Sequence, residues 1–162
     1  MSLSSVLIAN PVKSAFVAYV HYASITLCFG ALVFERLRIK VDPNRFEAIS
    51  MVIADVIYGL AGIALLVSGI LRVKYFGQGA DFYTHNPIFW LKVSLFIFIG
   101  LLSLYPTITY VLWAIPLSKN KLPQVNSNLV LRLKTIMNIE LIGFITIPFF
   151  ASLMSRGIGL SS

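Results

Sequence analysis

One apolar stretch, Val12 to Arg38, constrains the fold more than any other part of the chain. Within it lie 21 residues, Ser14 to Phe34, whose one readily charged side chain is His21. About 20 apolar residues cross the hydrocarbon core of a bilayer. An ionisable group at that depth is costly, so it usually has a partner or a function. The stretch therefore predicts a membrane-spanning helix built around a histidine.

The polar residues of this stretch recur on one side of the predicted helix. A helix presents the same face about every seven residues, which is two turns. Ser24 lies beside this repeat. We expect the polar face to point at other helices rather than at lipid. Four polar side chains are spaced seven apart: Ser14, His21, Cys28 and Glu35.

The rest of the chain has the same apolar character. It is 58% hydrophobic and 12% charged, whereas a soluble domain has about 25% charged residues. This excludes a soluble domain with a single anchor and predicts an all-α integral membrane four-helix bundle in a single domain, residues 1–162. The predicted spans are residues 12–38, 46–74, 87–114 and 129–156.

The net charge of +7 raises the question of nucleic acid as a partner. The basic residues cluster at the ends of apolar runs, where they would meet lipid headgroups and cytoplasm. We therefore expect a lipid bilayer as the partner, and no nucleic acid.

The same basic residues predict an orientation in the membrane. Four spans place both termini on one side, and the positive-inside rule assigns basic loops to the cytoplasm. We therefore predict that both termini are non-cytoplasmic. The first and third loops, with the helix ends, contain Arg36, Arg38, Lys40, Arg45, Lys119, Lys121, Arg132 and Lys134.

Two groups of polar residues near or within the spans are candidates for function. The first, towards the predicted outer side, contains His21 and Lys92, with His85 and Tyr83 nearby in sequence. His21 is either a hydrogen-bonded contact between helices or a metal or haem ligand. Lys92 either extends its amine to the surface or joins such a site, and His85 is expected at the surface.

The second group lies towards the predicted inner side. Because charges near spans tend to pair, we expect these residues to form a structural ion-pair cluster. Glu140 lies between the two groups, near mid-membrane, where a carboxylate often belongs to a proton or cofactor site. The inner group consists of Glu35, Asp55, Arg36 and Arg132.

The second span carries a track of small residues, Gly59, Gly62 and Gly69. Glycines let helix backbones approach closely in lipid, so we expect close helix packing there. No phosphate loop, CxxC, HExxH or nucleophile elbow appears in the sequence.

Three stretches carry a resemblance to known proteins: VHYASITLCFGALVFERLRIK, FYTHNPIFWLKVSLFIFIGLLSLYPT and LRLKTIMNIELIGFITIPFFASLMSRGIG. With the second span, they resemble an uncharacterised family of small four-helix membrane proteins found mainly in cyanobacteria. That family is distantly similar to HemJ-type protoporphyrinogen oxidases and to CopD-like membrane proteins. The resemblance covers nearly the whole chain and implies an inner or thylakoid membrane.

The resemblance to the HemJ-type family also implies a cofactor, haem b, between the first, third and fourth helices. His21, Arg36, Lys92 and Glu140 stand at places of the family pattern. His21 would be the axial ligand of the metal, and Lys92 would be the opposite ligand or would pair with a propionate. The chain departs from the pattern after the third helix, where Tyr105 and Pro106 stand in place of histidines.

Three hypotheses about function follow. The first is a haem b protein with a redox or tetrapyrrole-related role, which as an enzyme would be an oxidoreductase acting on a protoporphyrinogen-like substrate. The second is a cofactor-free accessory or assembly subunit of a photosynthetic or respiratory membrane complex. The third is a small transporter that uses Glu140 and His21 as a proton relay. A homo-oligomer or a larger membrane complex is compatible with all three.

Overall fold

Helices dominate the computed structural model, which describes residues 11–77 and 79–159. Four helices are long and apolar enough to cross a membrane. The single domain predicted over residues 1–162 includes residues that the structure does not describe. These are residues 1–10, 78 and 160–162. The helices are α1 (Pro11–Arg38), α2 (Arg45–Leu71), the short α3 (Ala80–Thr84), α4 (Pro87–Ser118) and α5 (Ser127–Ser155).

Asparagines begin three of the long helices. The Asn44 side chain accepts a hydrogen bond from the Glu47 amide, and the Asn44 amide donates one to the Glu47 carboxylate, which makes a capping box. Asn86 caps α4, and Pro87 lies in its first turn. Asn126 caps α5 through the Leu129 amide at 2.8 Å.

The four long helices pack in a ring. α1 lies along α2, α2 packs on α4, α4 on α5, and α5 on α1. The diagonal pairs, α1 with α4 and α2 with α5, make no close backbone approach among the described residues. A side chain that points inward from any helix therefore meets side chains of the other three.

Contacts between loops show which ends lie together. At one end, the Asp42 amide donates to the Val125 carbonyl at 3.4 Å, and Arg45 hydrogen-bonds Asn120. At the other end, the Asn86 side chain donates to the Ile158 carbonyl at 3.2 Å. The loops after α1 and α4 thus share one end of an up-and-down bundle.

The surface of the bundle is apolar and its interior is partly polar. Large apolar side chains on all four long helices are exposed, as lipid-facing residues would be. Aliphatic and methionine side chains fill most of the interior, with a few aromatic residues and alanines and with buried serine, aspartate and glutamate side chains. The prediction of an all-α membrane four-helix bundle is confirmed.

The segment between α2 and α4 is largely helical. α2 continues directly into a π-helical turn, Arg72–Phe76, and the short α3 follows. At Gly79, φ is +92°, a backbone conformation that glycine adopts at little cost. These elements bring the chain back towards the start of α4.

The prediction of close packing is wrong for two of the three glycines in α2. A Cβ added at Gly59 or Gly62 would meet no atom within 4 Å. At Gly69 it would lie 3.4 Å from His21 Cε1. The closest approach occurs instead at Gly143 on α5, where a Cβ would overlap the side chain of Ile99. In this bundle a glycine therefore allows close helix packing at Gly143, whereas Gly59 and Gly62 leave space open.

Candidate functional site

The polar face of α1 contacts α2, as its spacing predicts. The Ser14 hydroxyl donates to the Phe76 carbonyl at 3.4 Å. His21 Nδ1 lies 3.0 Å from Ser68 Oγ, and the Cys28 thiol is 3.7 Å from the Tyr58 carbonyl. Glu35, at the end of the series, is only 2% exposed.

The Ser68 hydroxyl, which hydrogen-bonds His21 Nδ1, also contacts two carbonyls of its own helix. It lies 2.6 Å from the Ala64 carbonyl and 3.1 Å from the Leu65 carbonyl. When the hydroxyl donates to either carbonyl, its oxygen accepts from Nδ1–H of the imidazole. When the ring is neutral, its other nitrogen, Nε2, keeps a lone pair.

Two basic side chains lie near this imidazole. Arg72 and Lys92 are close enough for their charges to act on it. The Arg72 guanidinium stacks on Tyr22, 5.0 Å from the ring centroid. The Lys92 amine lies 6.0 Å from the centroid of Phe89 and is half-buried. The outer group predicted from sequence thus gains Arg72, at the start of the π-helical turn.

A second polar cluster lies in the middle of the bundle and consists of three carboxyl groups. Glu35 comes from α1, Asp55 from α2 and Glu140 from α5, with exposures of 2%, 6% and 0%. Glu35 is close enough to Asp55 and Glu140 for their charges to act on it, and Asp55 acts on Glu140 in the same way. We call these three residues, with Tyr110, the acid cluster.

The acid cluster has few hydrogen bonds. The Thr107 hydroxyl donates to Asp55 at 2.8 Å. No described residue pairs with Glu35 Oε1, either oxygen of Glu140 or the Tyr110 hydroxyl, although all four atoms are buried. Tyr110 is 0% exposed and lies near all three carboxyls. Such unpartnered buried groups are rare and call for a functional explanation.

The ion-pair cluster predicted at the inner side is wrong. Arg36 Nε donates to Asn138 at 2.7 Å rather than to a carboxylate, and Arg132 is exposed. The one ion pair between described residues joins Lys40 to Glu47 at 2.7 Å. Glu35 and Asp55 face inward to Glu140, whereas the arginines lie outside the core.

The four residues that the resemblance assigned to a cofactor separate into different places. Fourteen residues separate His21 from Glu35 along α1, which at 1.5 Å per residue is about 21 Å. His21 and Lys92 lie together, towards the starts of α1 and α4. Glu140 lies in the acid cluster, and Arg36 lies next to Asn138.

His85 is exposed, as expected, with its Nδ1 2.9 Å from the Asp81 carbonyl. Among the described residues, no group of three or more histidine, cysteine or acidic side chains has the geometry to hold a metal ion. Haem b ligation by His21 needs a single imidazole and stays a prediction.

Sequence reasoning missed Tyr110 and Thr107. Both lie on α4, three residues apart, as do Asp55 and Tyr58 on α2. Residues three apart share a helix face. Two such polar pairs inside apolar helices are the signal that could have located the acid cluster.

Comparisons with known proteins identify a family without an assigned activity. A family model described as predicted membrane protein (DUF2214) matches residues 13–159. No curated protein and no solved structure matches the chain. The distant similarity to HemJ-type and CopD-like proteins stays a prediction.

Proposed function

The chain belongs to the DUF2214 family of predicted membrane proteins, and we propose that it is a proton-coupled carrier whose acid cluster takes up and releases protons. One observation carries the proposal. Both oxygens of Glu140 are fully buried mid-helix without a hydrogen-bond partner among the described residues.

The chemistry of a buried carboxyl favours the proton as its ligand. A charged carboxylate without a partner is expensive in a low-dielectric interior. Adding a proton removes the charge. Because the three carboxyls lie near one another, a proton on one changes the affinity of the others for protons, so the cluster titrates as a unit.

Two hydroxyl groups extend the acid cluster across the bundle. Thr107 is hydrogen-bonded to Asp55 at 2.8 Å, and the Tyr110 hydroxyl is free to donate or accept. Thr107 thus joins α4 to the carboxyl of α2, whereas the Tyr110 hydroxyl lies near all three carboxyls without a hydrogen bond to any of them. In this proposal small side-chain movements bring the Tyr110 hydroxyl into contact with Glu140, Asp55 and Glu35 in turn, and it passes protons between them.

Infrared difference spectroscopy tests proton binding. Protein in liposomes should show a carboxyl band that changes with bulk pH and disappears in Glu140→Gln. Glu47→Gln is the matched control, because Glu47 pairs with Lys40 outside the acid cluster. A wild-type spectrum without such a band, or one unchanged in Glu140→Gln, would overturn the proposal.

Proton flux tests the carrier function. Liposomes containing the protein, a pH-sensitive dye and a potassium diffusion potential should acidify at least about tenfold faster than liposomes with Glu140→Gln, which corresponds to about 1.4 kcal/mol. Equal rates in the two samples and in empty liposomes would contradict the carrier. Co-purification with a larger membrane complex would then favour an accessory subunit.

A second candidate function, haem b binding, is favoured by the protonation of His21. An imidazole that ligates a metal usually donates its other N–H to a partner, and His21 donates Nδ1–H to Ser68. Nε2 would serve as the axial ligand, with Lys92 and Arg72 positioned to pair with carboxylates. A haem bound there would supply one-electron transfer. Oxidation of a protoporphyrinogen-like substrate would also require a site on the protein that binds this substrate.

An absorption spectrum tests the second candidate. Protein expressed with ample haem should show a Soret band at about one haem per chain, and His21→Ala should abolish it. His85→Ala should keep it, because His85 is at the surface. A colourless wild-type protein that does not respond to added haem would exclude the haem candidate and leave the acid cluster unaffected.

We also propose that both termini face away from the cytoplasm, in an inner or thylakoid membrane. The support is the excess of basic residues in the loops after α1 and α4, which lie at one end of the bundle. A tag at either terminus should react with a membrane-impermeant reagent from the non-cytoplasmic side. Reaction only after the membrane is permeabilised would reverse the orientation.

A further inference from the structure

A cavity of about 210 Å³ lies mainly between α2 and α4. No residue of the acid cluster lines it, although Tyr58 in its wall lies near Glu140 and Glu35. Three glycines form much of its wall, Gly59 and Gly62 on α2 and Gly100 on α4. A Cβ added at any of the three would meet no atom within 4 Å. The glycines therefore keep space open where other residues would fill it.

The cavity is apolar on most sides and opens towards lipid. Ile63, Leu66, Phe96 and Phe144 contribute to the wall. Ile63 is 63% exposed and Leu66 49% exposed on the lipid-facing surface. Gly59 and Gly100 lie near the middle of their helices. A ligand would therefore enter sideways from the bilayer core, which selects an apolar molecule.

The volume of the cavity indicates a ligand with a single ring. An apolar cavity of about 150 Å³ inside a protein can hold benzene. A cavity of about 210 Å³ leaves room for a six-membered ring with small substituents, and is below the range of about 300–1,000 Å³ that is typical of larger ligands.

The polar part of the cavity wall indicates that the ligand carries a polar substituent. Tyr58 and Ser103 both line the cavity, and their side chains are neighbours. The Ser103 hydroxyl donates to the Gly100 carbonyl at 2.8 Å, and the Tyr58 hydroxyl faces the Ser103 oxygen. Because both protons have acceptors within the protein, the two oxygens offer lone pairs to a ligand. A hydroxyl group on the ligand can donate to them, whereas an acyl chain would cover them without a hydrogen bond.

We propose that this cavity binds a six-membered ring that carries a hydroxyl group, a phenol-sized molecule that enters from the bilayer. The proposal goes beyond the proton-coupled function. It requires no proton movement by Glu140, so the two can fail separately.

Fluorine NMR with 4-fluorophenol tests the proposal in lipid nanodiscs, with empty nanodiscs subtracted. Wild-type protein should give a saturable change of the probe signal. Gly62→Leu should weaken binding at least tenfold, because the leucine side chain fills the cavity. Gly30→Leu is the matched control: a Cβ at Gly30 also meets no atom within 4 Å, but Gly30 does not line the cavity. If Gly62→Leu fails to insert, Gly100→Leu tests the opposite wall.

A second probe tests the polar wall. Fluorobenzene should bind about two- to tenfold more weakly than 4-fluorophenol, the ratio that one net hydrogen bond supplies, and Tyr58→Phe should reduce this ratio. Glu47→Gln should leave binding of both probes unchanged, because Glu47 pairs with Lys40 and does not line the cavity. Equal binding to the wild type and Gly62→Leu, or cross-linking of a photoactivatable acyl chain at the cavity with no hydroxyl preference, would overturn the proposal.

Discussion

His21 and Glu140 are both ionisable side chains inside membrane spans, but their surroundings are opposite. His21 is half-buried and donates to Ser68 at 3.0 Å. Glu140 is 0% exposed, and neither of its oxygens has a partner among the described residues. The imidazole is thus oriented with one nitrogen left over for a ligand, whereas the carboxyl is enclosed and can relieve its charge only by taking up a proton. Depth in the membrane alone does not distinguish these roles; the partner does.

The lack of hydrogen-bond partners in the acid cluster lowers the stability of the folded protein. A buried polar group without a hydrogen bond destabilises the folded state by about 1–3 kcal/mol. The acid cluster contains four such atoms, on Glu35, Tyr110 and Glu140, whereas His21 has its partner. Proteins retain unsatisfied groups of this kind mainly where function requires them. Removing them should therefore separate stability from activity.

The largest change in stability is expected for Glu140→Leu. Replacing an unpaired buried carboxyl with an apolar side chain of similar size should raise the free energy of unfolding by about 2 kcal/mol, while proton binding is lost. Reversible unfolding in mixed micelles measures the stability. Glu140→Gln is the control: it keeps buried polar atoms without partners, so it should gain less stability than Glu140→Leu. If Glu140→Leu destabilised the protein, a partner for the carboxyl would have to exist.

Much of the fold follows from the sequence, because spans are long, apolar and bounded by caps. Asn86 with Pro87, and the basic ends of α1, mark where helices begin and end. The repeat of Ser14, His21, Cys28 and Glu35 correctly predicts that this face of α1 meets another helix, which in the structure is α2. These are local patterns, and a helix obeys them wherever its neighbours lie.

The acid cluster was predictable only in part, because it depends on which helices are neighbours. Glu140 is evident as a mid-membrane carboxyl. That Glu35 and Asp55 turn towards it, and not towards Arg36, depends on the ring order of the bundle. Spacing along one helix cannot determine that order. The same limit explains the error at Gly59 and Gly62, since a glycine is small whether its neighbour is close or absent.

A smaller effect is expected for the one hydrogen bond within the acid cluster. Interhelical hydrogen bonds in membranes contribute about 0.6 kcal/mol on average and up to about 1.7. The Asp55–Thr107 contact, at 2.8 Å and buried, should be near the upper value. A double-mutant cycle with Asp55→Val and Thr107→Val measures it. Thr109→Val is the control, because Thr109 bonds only to the Tyr105 carbonyl of its own helix; comparable coupling in both cycles would show that the Asp55 contact is not specific.

The smallest effect is expected for the His21–Ser68 hydrogen bond, with a coupling energy of about 0.6 kcal/mol. His21 is half-buried, and Ser68 keeps its bond to the Ala64 carbonyl when the imidazole is removed, so little is left unsatisfied. A double-mutant cycle with His21→Leu and Ser68→Ala measures the coupling. Ser50→Ala replaces Ser68→Ala in the control, since Ser50 also bonds to its own helix, at the Phe46 carbonyl, but does not hydrogen-bond to His21. A coupling as large as that of Asp55 with Thr107 would remove the contrast between the two regions, because His21 would then be a structural anchor and not a side chain held ready for a ligand.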